Sequence, residues 1–392
     1  MTANEVAELA GVTPATVRRW ANSGVIPEHD GSPDAGFSPS AAAHVRIVAR
    51  LRERGHSLQQ IREASAEGRL AYSFVEELFP ETRGRHTLSE VAETTGLEEG
   101  LIERIFSAVG LPRQSLDRLA DEDVQALQYI SSVLAAGFPL VALLQLVRVY
   151  GQTLSQIADA ETRLFHLYVH EPLMREGVPG LQMAEEMEHL AGDLLPLASP
   201  IMDYVHQRFL QHYVEADVVG HMETAVEDGM DLGRVRLAIA FADLAGYTRY
   251  TEEAGEEEAL DFVERFIDAV NDTLPEGARV VKTIGDEVMI VGNDVAELTY
   301  WAVGFQRLFT ERPQARIGVH AGLALYRDGD YYGGDVNLAA RVVARARGGE
   351  VVVTDSVTSV VKADDLEYEL IGEVKLKGFD KPRQLSRAYA PD

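Results

Sequence analysis

Apolar residues in the first half of the chain recur at helical spacing, and near residue 232 the pattern changes to that of strands and amphipathic helices. Thr2 stands three residues before Glu5 and ahead of apolar Val6 and Leu9, which predicts a capped helix closed by Gly11. Thr13-Pro14 then opens a second helix through Trp20, completing a helix-turn-helix. After the Gly-rich HDGSPDAGFSPS, Val45, Val48 and Leu51 share one face of a third helix, and RERGHSLQQIREA turns at Gly55 into a fourth. The pattern then repeats. TLSEVAETTGLEEGLIERIFSAVGLP at 87–112 aligns with TANEVAELAGVTPATVRRWANSGVIP at 2–27, and AAGFPLVALL echoes RERGHSLQQI at a slightly smaller offset. A duplicated helical fold is expected. Its second copy carries Glu98, Glu99 and Glu103 where the first has Thr13, Pro14 and Arg18, so carboxylates would face any phosphate.

From about 120 to 223 the pattern stays helical. The most apolar run, Val133 to Leu144, contains Gly137 and Pro139 and falls short of the roughly 20 residues that span a bilayer, so it reads as buried helix. In PIMDYVHQRFLQHYVEADVVGHME, Ile201, Val205, Phe209, Tyr213 and Val218 recur nearly every fourth residue, a stripe able to pack on a partner helix or on its own domain. VEDGMDLGR marks a boundary near 232. Beyond it come a buried strand (VRLAIAFADL), an amphipathic helix (EEEALDFVERFIDAVNDTL), two strands round a Gly-Asp turn (ARVVKTIGDEVMIVG), a helix (DVAELTYWAVGFQRLFTE) and a strand (ARIGVHAGLALY). This βαββαβ order is ferredoxin-like. The expected architecture is α+β, divided into a helix-turn-helix module at 1–80, a helical region with a linker helix at 81–231, and a mixed domain at 232–392.

Composition narrows the partners. With 36 basic against 63 acidic side chains and a net charge of -27, most of the surface would repel a polyanion. The absence of cysteine removes thiol nucleophiles and zinc-thiolate sites, so a metal would sit on oxygen or imidazole, and it fits a reducing cytosol. No basic segment leads into an apolar core at the start, so cytoplasmic residence is expected.

Candidate chemistry gathers in the last domain. Asp243 ends the first strand in FADLAGYT and Asp286 sits in the turn of VKTIGDEVMI, where two carboxylates suit hard divalent cations. The residues after Asp243, namely Leu244, Ala245, Gly246, Tyr247 and Thr248, offer amides at a helix start for phosphate oxygens. In DGDYYGGDVNLAARV, Asn337 and Arg341 are four apart on one helix face, an amide and a guanidinium suited to a ribose and a phosphorane. Taken singly, each of these residues also has an ordinary reading as a cap, a turn or a surface side chain.

Together FADLAGYT, VKTIGDEVMI, GVHAGLA, YYGGDVNLAARV and VKLKGF, in this order over about residues 236–389, resemble the catalytic domain of class III adenylate cyclases. TANEVAELAGVTPATVRRW with GHSLQQI resembles the MerR-type winged helix-turn-helix, as in actinobacterial soluble cyclases. The first resemblance implies that Asp243 and Asp286, with Leu244 beside them, bind two Mg2+ or Mn2+ ions. It also implies that Asn337 orients the ribose, Arg341 meets the transition state and Lys375 holds the terminal phosphates. Lys282 and Asp330 match the base-reading positions. A Lys donor and an Asp acceptor complement adenine N1 and N6, the reverse of guanine, so ATP is the expected substrate, cyclised by in-line attack of the ribose 3'-hydroxyl with pyrophosphate leaving. Lys282 and Asp286 lie four residues apart in one hairpin, yet they must touch opposite ends of the nucleotide. The resemblance resolves this with a head-to-tail homodimer, the aspartates from one chain and Lys282, Asp330, Asn337, Arg341 and Lys375 from the other.

Regulation is expected from the helical half. His166, His170, His189, His206, His212 and His221, six of the eleven histidines, lie there and would titrate near 6.5, which suggests a proton effector. The apolar 133–147 stretch suggests a hydrophobic one. The alternative reading is a DNA-binding regulator that uses the cyclase domain to sense nucleotide, favoured by Arg18 and Arg19. Against it, residues 1–70 hold eight basic and eight acidic side chains, so DNA is not the expected partner.

Overall fold

The computed structural model describes residues 1–26, 36–37, 39–67, 69–70, 84–176, 180–223, 234–361 and 366–391. Most of HDGSPDAGFSPS, all but the last residue of VEDGMDLGR with the expected boundary near 232, and the side chains of Val218 and His221 lie outside the described residues. The chain divides into two compact units, Met1–Leu210 and Gln211–Asp392.

In the first unit, α1 (Ala3–Ala10), α2 (Pro14–Asn22), α3 (Pro39–Glu53) and α4 (Leu58–Ala66) are followed by α5 (Leu88–Thr95), α6 (Glu99–Val109), α7 (Asp121–Ala135) and α8 (Leu140–Phe165). The duplication is physical as well as sequential. Thr2 with Glu5 and Thr87 with Glu90 form matching capping boxes, and Gly11 and Gly96 close the two helices at φ 67° and 70°. Backbone pairing joins Phe37 to Met1 in the first copy and Leu119 to His86 in the second. The turns at Gly55 and Gly137 also match, at φ 93° and 94°. Each copy buries its own core, Val6, Val17 and Trp20 in one and Val91, Ile102 and Ile105 in the other.

One sequence expectation changes here. The Val133–Leu144 run is no buried helix: Gly137 splits it between α7 and α8, and Val133, Phe138 and Val141 are exposed. Leu143 of α8 is buried, and Leu134 of α7 and Leu144 of α8 are half-buried against the same core, because the turn leaves each helix a single face toward it. A π-helical turn (His166–His170), α9 (Glu171–Arg175) and α10 (Gly180–Glu223) complete the helices. Along α10, Ile201, Val205, Phe209 and Tyr213 are all exposed, and the Arg279 guanidinium lies 5.3 Å from the Tyr213 ring centre.

The second unit runs β1 (Arg234–Leu244), α11 (Tyr247–Ala254), α12 (Glu256–Thr273), β2 (Ala278–Ile284), β3 (Glu287–Gly292), α13 (Val295–Leu308), β4 (Ala315–Arg327), β5 (Asp330–Tyr332), α14 (Gly334–Val343), β6 (Val351–Thr354), α15 (Asp355–Thr358), β7 (Glu367–Val374) and β8 (Arg383–Tyr389). Sheet order is β2-β3-β1-β4-β6-β8-β7, with β5 paired to β4. The expected βαββαβ unit forms the first four strands, and β6 adds in parallel to β4. Strand β1 is buried on both faces, which explains its unbroken apolar run. Ala238, Ala240 and Ala242 make room for Phe262, Phe266 and Phe305 of α12 and α13, while Leu237, Ile239 and Phe241 face α14. Helix α14 lies close on β4 because Gly318 and Gly322 have no Cβ, which would sit 2.3 Å from Val343 N and from Asp335 Oδ2 respectively.

Candidate active site

Strand parity puts Asp243 on the α14 face of β1, beside Leu244, at the end where the chain turns into α11; it is 8% exposed. Asp286 occupies the β2–β3 turn beside Gly285, whose φ of 64° a side chain would resist. Because β3 pairs with β1 up to Val288 and Ala242, this turn is carried to the end of β1, and the two carboxyl groups come close enough to interact. Burial first, and then the Asp243 carboxylate, push the Asp286 carboxyl up to about 6, while the Leu244 backbone N–H pulls it down. Glu287 next door is raised by burial and by Asp243, and lowered by Arg316 and Arg341. Two close carboxylates in a half-buried niche favour a cation. Among the described residues no cluster of three Asp, Glu or His side chains forms, so further ligands would come from backbone oxygens such as that of Leu244, water or substrate.

Sequence reasoning missed Arg316. It is the β4 register partner of Asp243, and its Nε donates to Asp243 Oδ2 at 2.8 Å while Nη2 donates to the same oxygen. The only available signal was an arginine just before GVHAG; that it faces Asp243 depends on the β1–β4 register.

Lys282 and Asp330, 48 residues apart, meet as an ion pair, Nζ donating to Oδ2. A bulge between Val280 and Lys282 makes this contact. Val280 packs on the α12/α13 side, and simple alternation would send Lys282 there too; the extra residue, Val281, instead sets Lys282 opposite Met289, which belongs to the α14 face. Asp330 Oδ1 accepts the Tyr331 N–H at 2.8 Å, and Arg279 donates to the Tyr331 hydroxyl at 2.7 Å, so the pair is held from behind.

The remaining candidates are placed but uncommitted. Gly246, at φ 82°, starts α11 with no side-chain cap, leaving first-turn amides near Tyr247 and Thr248 open to an anion. Asn337 and Arg341 are both exposed on the outer face of α14, and among the described residues no hydrogen bond or ion pair holds either side chain. Lys375 is exposed after β7, and its carbonyl accepts from Arg345 at 3.0 Å. The structure therefore brings together Asp243 with Asp286, and Lys282 with Asp330, but does not gather Asn337, Arg341 and Lys375 onto either pair by hydrogen bonds.

No helix among the described residues is long and apolar enough to cross a membrane. Residues 234–389 match the adenylate and guanylate cyclase catalytic domain, residues 35–214 the adenylate cyclase regulatory domain, and residues 1–67 the MerR HTH family regulatory protein. A pH-sensitive adenylate cyclase of Mycobacterium tuberculosis is 30% identical over 300 residues, 74% of each chain. An adenylate cyclase of Streptomyces coelicolor is 32% identical over 275 residues, 69% of this chain and 70% of that one. Among solved structures, the adenylyl cyclase CyaB from P. aeruginosa is 21% identical over 41% of this chain and 96% of its own, with a TM-score of 0.38. On the catalytic-domain match and these relatives, the chain belongs to the class III adenylate cyclases that carry an amino-terminal regulatory module.

Proposed function

We propose that two copies of the chain together convert ATP to 3',5'-cyclic AMP and pyrophosphate, each site taking Asp243 and Asp286 from one copy and Lys282, Asp330, Asn337, Arg341 and Lys375 from the other. The observation that carries this reading is that one β2–β3 hairpin presents Asp286 to Asp243 at its turn and Lys282 to Asp330 along its strand. Asp243 and Asp286 fit a pair of Mg2+ or Mn2+ ions, which supply a lowered pKa for the attacking 3'-hydroxyl and charge neutralisation on the triphosphate. Arg316 offsets the negative charge of Asp243 and lies where phosphate oxygens would arrive. Lys282 donates to adenine N1 and Asp330 accepts from N6. Asn337 orients the ribose, Arg341 meets charge on the pentavalent phosphorus, and Lys375, with the amides at Gly246, Tyr247 and Thr248, holds phosphate oxygens. Exposed Ile201 and Val205 on α10 would suit cover by a second copy.

We assign residues 1–80 and 81–231 to regulation and 232–392 to catalysis, in a cytoplasmic protein whose effector is a proton or a hydrophobic molecule. Exposed Arg18 and Arg19 on α2 favour a second reading, DNA binding by the first helix-turn-helix, which a gel shift across salt concentrations would reveal.

Complementation tests the shared site. Asp286→Ala and Arg341→Ala should each retain only a small, measurable fraction of wild-type activity alone. Mixed in equal amounts under exchange, they should form mixed dimers with one intact site, returning about a quarter of wild-type activity by random pairing. No recovery from exchanged mixtures would exclude a shared site.

A further inference from the structure

Behind the exposed face of α14 lies a polar cluster, buried at His320 and Thr354 and part-exposed at Asp335, that the reaction as described does not use. Asp335, in the first turn of α14, turns its carboxylate toward the sheet: Oδ2 accepts the Leu323 N–H of β4 at 2.7 Å, and Oδ1 lies 3.5 Å from His320 Nε2, at the outer edge of hydrogen-bonding distance. His320 is 6% exposed, and its Nε2 has no hydrogen-bond partner within the usual limits among the described residues. On the other side, His320 Nδ1 lies 2.8 Å from Thr354 Oγ1 of β6 and 3.1 Å from Ser356 Oγ of α15, and Ser356 Oγ accepts the Ala321 N–H at 3.2 Å. Asp335 thus bonds α14 to β4, while the imidazole it faces joins β4 to β6 and α15.

The chemistry fixes its tautomer. An Nε2 lone pair aimed at a carboxylate oxygen would be repelled, so the proton sits on Nε2 and Nδ1 accepts from a hydroxyl. Burial favours this neutral form by lowering the His320 pKa, against the pull of Asp335. The carboxylate reaches the strand only because Gly322 has no Cβ, which would stand 2.3 Å from Asp335 Oδ2. Asn337 and Arg341 follow on the same helix, two and six residues after Asp335, on its exposed face. Any rotation of α14 about its axis would swing both tips, and a misplacement of about 1 Å in a reacting geometry costs up to about a hundredfold in rate.

We propose that His320 and Asp335 form a positioning pair that locks the rotation of α14 on β4 and so sets where Asn337 and Arg341 meet the substrate. This rests on the reading of Arg341 as the transition-state residue. Neither His320 nor Asp335 touches the nucleotide.

The test is steady-state kinetics on the full chain with ATP and Mn2+, for His320→Asn, His320→Gln, Asp335→Asn, Arg341→Ala and the His320→Asn/Arg341→Ala double variant, each checked by thermal melting. The Gln side chain can place an N–H near the Nε2 position, whereas Asn reaches only the Nδ1 side. Expected are a loss of about thirtyfold in kcat for His320→Asn with KM for ATP within about threefold, substantial recovery in His320→Gln, and a double variant no slower than Arg341→Ala alone. If His320→Asn does not fold, Asp335→Asn takes its place. Losses that multiply in the double variant, or a folded His320→Asn with wild-type kcat beside a strongly slowed Arg341→Ala, would overturn the positioning role alone. A fully active Arg341→Ala would overturn the catalytic reading of α14 and the proposal with it.

Discussion

At the scale of single residues, the protein places charge where burial makes it matter. His44 is buried, with Nε2 3.0 Å from the Val25 carbonyl, and burial lowers its pKa to about 4, the Val25 bond opposing. Unfolded, the same imidazole titrates near 6.5, so the unfolded chain takes up a proton that the folded module resists as pH falls from about 6.5 to about 4. The first module should therefore lose up to about 3 kcal/mol over that window. In melts of the full chain between pH 7 and 4.5, His44→Gln should flatten this dependence. Arg316 and Asp243 make a second case, with side chains 29% and 11% exposed. Arg316→Gln leaves Asp243 beside Asp286 with less counter-charge and should cost about 2 kcal/mol, below the range for a fully buried pair. Mn2+ should raise the melting temperature of this variant more than that of wild type. The two aspartates were legible because strand-end and turn positions can be read along the chain. Arg316 was not, because its partner is set by strand register.

At the scale of elements, caps and periodicity carried most of the information. Thr2 and Thr87 sit in equivalent capping boxes, so Thr2→Ala and Thr87→Ala should each cost about 1 kcal/mol in denaturant titrations. The duplication was readable for the same reason: a capping residue, a helix-closing glycine and a buried stripe are local features. The Val133–Leu144 run misled because apolar content alone does not say which side of a turn faces a core. The approach of α14 to β4 is likewise invisible along the chain. Gly318→Ala would put a methyl 2.3 Å from the Val343 nitrogen, which backbone cannot yield cheaply. A loss of about 1–3 kcal/mol is expected, with a larger fractional fall in kcat than in ATP binding, because α14 must shift outward.

At the scale of the molecule, each hydrophobic cluster draws its residues from one unit, either Met1–Leu210 or Gln211–Asp392. Calorimetry should resolve more than one transition, and Mn2+ with a non-cyclisable ATP analogue should raise only that of the second unit. A single transition shifted as a whole would contradict this. A net charge of -27 gives copies of the chain long-range mutual repulsion, which opposes non-specific association.

The chain by itself determined the helical first half and its repeat, the βαββαβ start of the sheet, and which residues are candidates for the site, because these follow from local spacing and from motifs in fixed order. Tertiary structure alone decided which side chains meet. The bulge before Lys282 turns it toward Asp330, the β1–β4 register delivers Arg316 to Asp243, and two glycines let α14 bring Asp335 to His320. These contacts join residues tens of positions apart, and a shift of one residue in a strand sends a side chain to the opposite face, a choice that spacing along the chain does not encode.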